Sequence, residues 1–165
     1  MSDVAIEKLP PAGMISLRGE LSVLGPAVEE VTGCALPEMR MSTRAGDATT
    51  IWMSPDELLI VCDHEAARDL AARLTEALAE EFASVSVVSD ARQMFEVRGA
   101  GAEALLQTIM PVDFDRMQPQ EVRRTRMAQI PAAVWRQGGG FRLVCFRSVA
   151  DYAMDLLETS RPVGG

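Results

Sequence analysis

The chain has 165 residues, 48% hydrophobic and 24% charged, with a formal net charge of −8. That length suits a single domain, and that composition supplies a core and excludes a disordered chain. An acidic balance repels phosphate backbones and argues against nucleic acid as a partner.

In chain order, residues 1–12 read as an N-terminal arm, because Pro10 and Pro11 stiffen it and prevent a helix. Gly13–Gly19 reads as a strand. Pro26 in a helical first turn, with Val28 and Val31, predicts a short helix ending at Gly33. Residues 48–53 and 57–62 read as two strands around Ser54-Pro55-Asp56, where Pro sets a turn φ. Asp63 is placed to cap the next helix, in which Ala67, Leu70, Leu74, Leu78 and Phe82 make one buried stripe. Residues 84–89 and 93–99 are further strands. Ala102, Leu105, Leu106 and Ile109 give an amphipathic helix stopped by Pro111. The segment PVDFDRMQPQ is a loop. Residues 124–136 and 141–146 form a hairpin around Gly138-Gly139-Gly140. Ser148 and Asp151 match a capping box, and Ala153, Leu156 and Leu157 turn the last helix inward. The tail from residue 161 to 165 is expected to fray.

Two halves of this pattern coincide. Residues 51–74 slide by 83 positions onto residues 134–157 without a gap, so that Trp52 meets Trp135, Val61 meets Val144, Cys62 meets Cys145 and Ala67 meets Ala150. Upstream, Leu17-Arg18-Gly19 matches Val97-Arg98-Gly99. The expected architecture is therefore α+β: one domain over residues 13–160, built from two βαββα, ferredoxin-like repeats at about 13–74 and 93–157, with pseudo-twofold symmetry.

The chemistry-bearing residues are few. The three cysteines match no zinc spacing, and an odd number without a signal peptide reads as reduced thiols in a cytoplasmic protein. No apolar run is long enough for a membrane span. Cys62 and His64, two apart at a strand end, could form a Cys-His pair, although two ligands do not make a zinc site. Cys62 and Cys145 within apolar strands read as packing residues. Asp56-Glu57 and Asp113/Asp115 are the paired acids, in loops where solvated or turn-forming roles prevail. Arg123, Arg124 and Arg126, with Arg116 nearby, form the dense basic run. Arg124 and Arg126 fall on one strand face, suited to an acidic partner surface, a carboxylate or a phosphate. The glycines at 138–140 lack the Lys-Ser/Thr and strand-to-helix context of a phosphate loop. No residue is assigned to catalysis, to a metal or to a cofactor.

The phrases LPPAGMISLRGEL, TIWMSPDELLIV, SDARQMFEVRGAGAEALLQTIMPVDF, RRTRMAQIPAAVWR and FRLVCFRSVADYAMDLL resemble, in order and over nearly the whole chain, the gamma subunit of heterotetrameric sarcosine oxidase. The resemblance implies a non-catalytic accessory subunit of a complex that oxidises sarcosine to glycine. It implies alpha, beta and delta subunits as partners, with FAD, FMN, NAD, folate and zinc held by those partners. It also implies a fold similar to the folate-binding domain of aminomethyltransferases, which is itself duplicated. The catalytic aspartate motif of those enzymes has no match in GMISLRGEL, so the resemblance carries over no functional residue. The competing readings are a folate-like-ligand binding module gripping carboxylates through Arg124 and Arg126, and an enzyme using His64 and Cys62.

Overall fold

Strand β1, Ala5–Lys8, lies within the N-terminal arm, where the prolines rule out a helix but not a strand. The computed structural model describes residues 3–163, and they fall into two units, one from Pro11–Asp90 and one combining the residues up to Pro10 with those from Ala91 onward. Gly164 and Gly165, at the end of the predicted tail, lie outside the described residues. Arg161 at its start is anchored, paired with Glu158 and donating a hydrogen bond to the Val4 carbonyl.

In the Pro11–Asp90 unit the order is β2 Gly13–Gly19, α1 Leu21–Thr32, β3 Ser42–Ala45, β4 Ala48–Ser54, β5 Glu57–Cys62, α2 Ala67–Ala77 and β6 Ala83–Val87. The sheet runs β3-β4-β5-β2-β6, with every pairing antiparallel. Alternate residues of the strands, Ile15 and Leu17 with Leu58, Ile60 and Cys62, turn to one face and pack with Leu24 and Val28 of α1 and Ala71 and Leu74 of α2. Fully burying each such Leu or Ile contributes about 1.5–3 kcal/mol.

The other unit repeats the plan with β7 Arg92–Arg98, α3 Ala102–Ile109, β8 Val122–Met127, β9 Ile130–Gln137, β10 Gly140–Phe146 and α4 Ala150–Thr159. Its sheet runs β1-β7-β10-β9-β8, again antiparallel throughout. Phe95, Val97, Phe141 and Leu143 pack with Leu105, Leu106, Ala153 and Leu157. The strands leading the two repeats are exchanged. β1 precedes β2 in sequence but pairs with β7, and β6 precedes β7 but pairs with β2.

The offset of 83 between repeats extends to the 3₁₀ turns His64–Ala66 and Arg147–Val149 that introduce α2 and α4. It fails by one residue in β4. Trp52 pairs with Leu58, whereas Trp135 pairs with Arg142, two strand positions whose partners face opposite sides of the sheet. The cause is a β-bulge between Trp52 and Ser54, which shifts the register on the way into the turn. The two tryptophans therefore occupy equivalent strands but opposite faces, and Ile51, which pairs with Leu59, stands where Trp135 does.

Other departures have local causes. α1 begins at Leu21, so Pro26 lies inside the helix, where the burial of Leu24, Ala27 and Val28 outweighs the missing amide. The 3₁₀ turns displace the starts of α2 and α4, and neither Asp63 nor Ser148 makes a side-chain cap. Residues 122–137 are two strands rather than one, folded at Ala128, whose φ of 51° is held by a 2.7 Å hydrogen bond from its amide to the Ile109 carbonyl. α2 ends at Ala77, so Phe82 leaves the predicted stripe and is fully exposed, while Leu74 is fully buried. Leu74→Ala is expected to cost about 2–5 kcal/mol, and Phe82→Ala less than about 0.5 kcal/mol, in urea unfolding of the purified chain.

Candidate functional site

The strands carry both candidate thiols inward. Cys62 ends β5 at 7% exposure against Gly13, and Cys145 in β10 is 4% exposed. Burial pushes the Cys62 thiol up to about 11, helped by the negative charge of Asp63. Burial pushes Cys145 up to about 11 as well, against the opposing pull of Arg92 and Lys8. A thiol held protonated in this way is a poor nucleophile and a poor metal ligand at neutral pH. His64 sits in the 3₁₀ turn beyond β5 with its side chain in solvent, its Nδ1 3.6 Å from Glu65. The structure thus sends Cys62 into the core and His64 to the surface, and does not assemble a pair. Among the described residues no group of three His, Cys, Asp or Glu is placed to hold a metal ion.

The paired acids are also separated in role. Asp56 accepts a 2.7 Å hydrogen bond from the Ser54 hydroxyl in the β4–β5 turn. Glu57, only 3% exposed, lies 3.2 Å from Arg18. Asp113 pairs with Arg116 at 3.5 Å, and Asp115 is exposed. Glu57 and Asp113 are each engaged by an arginine, while Asp56 shares a cleft with Glu20 and Glu81.

β8 presents the basic run. Arg124 and Arg126 are exposed and, opposite Ala133 and Pro131, share a face of the strand as its alternation requires. Arg123 turns the other way and is held by Glu121 at 2.6 Å. Arg126 donates to the Ala128 carbonyl at 2.9 Å.

Sequence reading missed two charge clusters. Glu96, 7% exposed, bridges Arg98 at 2.8 Å and Arg142 at 2.9 Å. Glu96 and Arg98, two apart on a strand, share a face and were legible; Arg142 comes opposite Glu96 only through the β7–β10 register. Arg136 donates to Glu103 and to the Phe114 carbonyl, both at 2.8 Å, and stacks 4.7 Å from the Phe141 ring. Both clusters pair buried or half-buried charges with neighbours, Arg98 reaching Glu7 at 3.6 Å as well, in the manner of structural ion pairs. No described helix is long and apolar enough to cross a membrane.

Comparison with known proteins adds what the geometry does not. The sarcosine oxidase, gamma subunit family matches residues 20–161. The sarcosine oxidase subunit gamma of Corynebacterium sp. (strain P-1) is 31% identical over 120 residues, covering 68% of this chain. The chain spans 56% of that relative's length. A chain in the structure of heterotetrameric sarcosine oxidase from Corynebacterium sp. U-96 in complex with pyrrole 2-carboxylate has the same fold at a TM-score of 0.85 and 22% identity, over 98% of this chain and 87% of that one. The glycine cleavage system aminomethyltransferase T from Bartonella henselae shares the fold at a TM-score of 0.73 and 13% identity, over 94% of this chain and 45% of that one. The expected α+β, aminomethyltransferase-like duplicated fold is thus present.

The thiols give a pH test. Both fold with pKa values near 11 against an ordinary 9.0, so their contribution to stability is complete below pH 9 and is lost as pH rises through 11. Urea unfolding should weaken over that window by up to roughly 2–3 kcal/mol per thiol. The fall should shrink in a Cys62→Ala/Cys145→Ala variant compared with its own value at pH 7.

Proposed function

This chain belongs to the sarcosine oxidase gamma subunit family, and we propose that it serves as a non-catalytic accessory subunit of a heterotetrameric sarcosine oxidase. Its role is to hold or shape a large flavoprotein partner during the oxidative demethylation of sarcosine to glycine. The observation that carries this reading is the family match across residues 20–161, on a fold also found in a structure of that complex. The chemistry is consistent with it. Oxidising an amine requires an electron acceptor such as a flavin, and burial holds the Cys62 and Cys145 thiols protonated. In this account FAD, FMN, NAD, folate and zinc reside in the alpha, beta and delta subunits, and the assembly is cytoplasmic.

Arg124 and Arg126, exposed on β8 of an acidic chain, are assigned to the rim of the subunit interface against an acidic surface. Co-expression with the cognate flavoprotein subunits, followed by size-exclusion chromatography, should give one complex that turns over sarcosine. An Arg124→Glu/Arg126→Glu variant should assemble more weakly, by about tenfold at low ionic strength and by less at high salt, because the contact is between solvent-exposed charges. Flavoprotein subunits that assemble and turn over sarcosine normally while this chain elutes alone would refute the reading.

A further inference from the structure

The four sheet edges are not equally defended. An edge strand invites pairing with another chain unless charge, proline or brevity blocks it. β1 carries Glu7 and Lys8 and runs towards Pro10 and Pro11; β8 carries three arginines; β3 is four residues long and includes Arg44. β6 differs: residues 82–89, FASVSVVS, contain no charge and no proline, in a chain that is 24% charged. β6 pairs with β2 on one side, and among the described residues no strand pairs with its other side. Ser84, Ser86 and Val87 along it are exposed.

At the start of this edge the side chain of Phe82 stands fully in solvent. It borders a cleft of about 520 Å³ that also contains Glu20, Asp56 and Glu81. The one cation there, Arg18, is drawn to buried Glu57 at 3.2 Å. A bare aromatic anchor therefore sits in an acidic rim at the head of an uncharged, β-forming strand edge.

We propose that the outer edge of β6 receives an extended segment of a partner subunit as a further antiparallel or parallel strand. That segment covers Phe82 with an apolar side chain and meets Glu20, Asp56 and Glu81 with Lys or Arg. Main-chain hydrogen bonds supply the affinity of such an addition, and the anchor residue supplies its specificity. A second copy of this chain is a poor occupant, since it brings the same acidic rim and a net charge of −8. The inference rests on the accessory-subunit reading above and locates one of its contacts.

The test is backbone hydrogen exchange on the chain alone and within the complex co-expressed with its flavoprotein subunits. Amides of residues 83–88 should slow by about tenfold or more in the complex. Phe82→Ala, which leaves the urea midpoint of the isolated chain unchanged, and Ser86→Lys, which puts a charge on the edge, should each weaken assembly by about tenfold. A complex that forms while β6 exchanges as in the free chain, and in which Phe82→Ala assembles like the parent, overturns the β6 assignment and leaves the accessory role standing. Failure to form any complex overturns both. Protection of β6 that rises with the concentration of this chain alone gives the edge to a second copy and overturns the partner assignment.

Discussion

The exchange of leading strands is the constraint on which both sheets depend. β1, at one end of the chain, pairs with β7 from Ala5↔Arg98 to Lys8↔Phe95, so the sheet of the C-terminal repeat is completed by a strand from far upstream. Contacts around β1 hold it there: the Leu9 amide donates to the Met94 carbonyl at 3.0 Å, the Gln93 side chain donates to the Leu9 carbonyl at 2.9 Å, and Lys8 reaches Asp151 at 3.5 Å. Gly99, with φ of 109°, approaches the Asp3 carbonyl so closely that a Cβ would stand 2.1 Å from it, so only glycine fits. Without β1, β7 would become an edge, and its buried Phe95 and Val97 would lose the neighbour on one side.

The two exchanged strands are unequal in charge. β1 and β6 are topological equivalents, yet β1 carries two charges and β6 none. An edge left bare in a folded subunit is a liability for a protein that acts alone and an asset for one that assembles. Two equivalent strands differing in this way is what joins the fold to the proposed accessory role.

Much of this plan was legible in the sequence because period and register agree over long stretches. The apolar run Leu58–Cys62 after the Ser54-Pro55-Asp56 turn and the three-to-four spacing of α3 are local signals, and those elements fall where the signals put them, whereas the stripe of α2 holds only as far as Leu78. What was not legible depends on contacts distant in sequence. β1 is four residues of mixed polarity that become a strand only by pairing with β7. Ala128 makes a turn without Gly or Pro because the Ile109 carbonyl holds its amide. The Trp52–Trp135 match is true in sequence, but a bulge reverses one of them, and a one-residue slip changes a side chain's face without leaving any trace in an ungapped alignment. Of the candidate site, the inward thiols and the shared face of Arg124 and Arg126 follow from strand alternation, whereas the closure of Glu96 by Arg142 and of Arg136 by Glu103 needs the tertiary register.

Residues 5–8 complete the sheet of the C-terminal repeat. The direct measurement is hydrogen exchange on a chain lacking residues 1–9. Amides of β7 and β10 should lose their protection while those of β2 and β5 keep theirs, because the latter sheet takes no strand from the deleted segment. Unchanged protection across Arg92–Arg98 and Gly140–Phe146 in the truncated chain would contradict that role of β1.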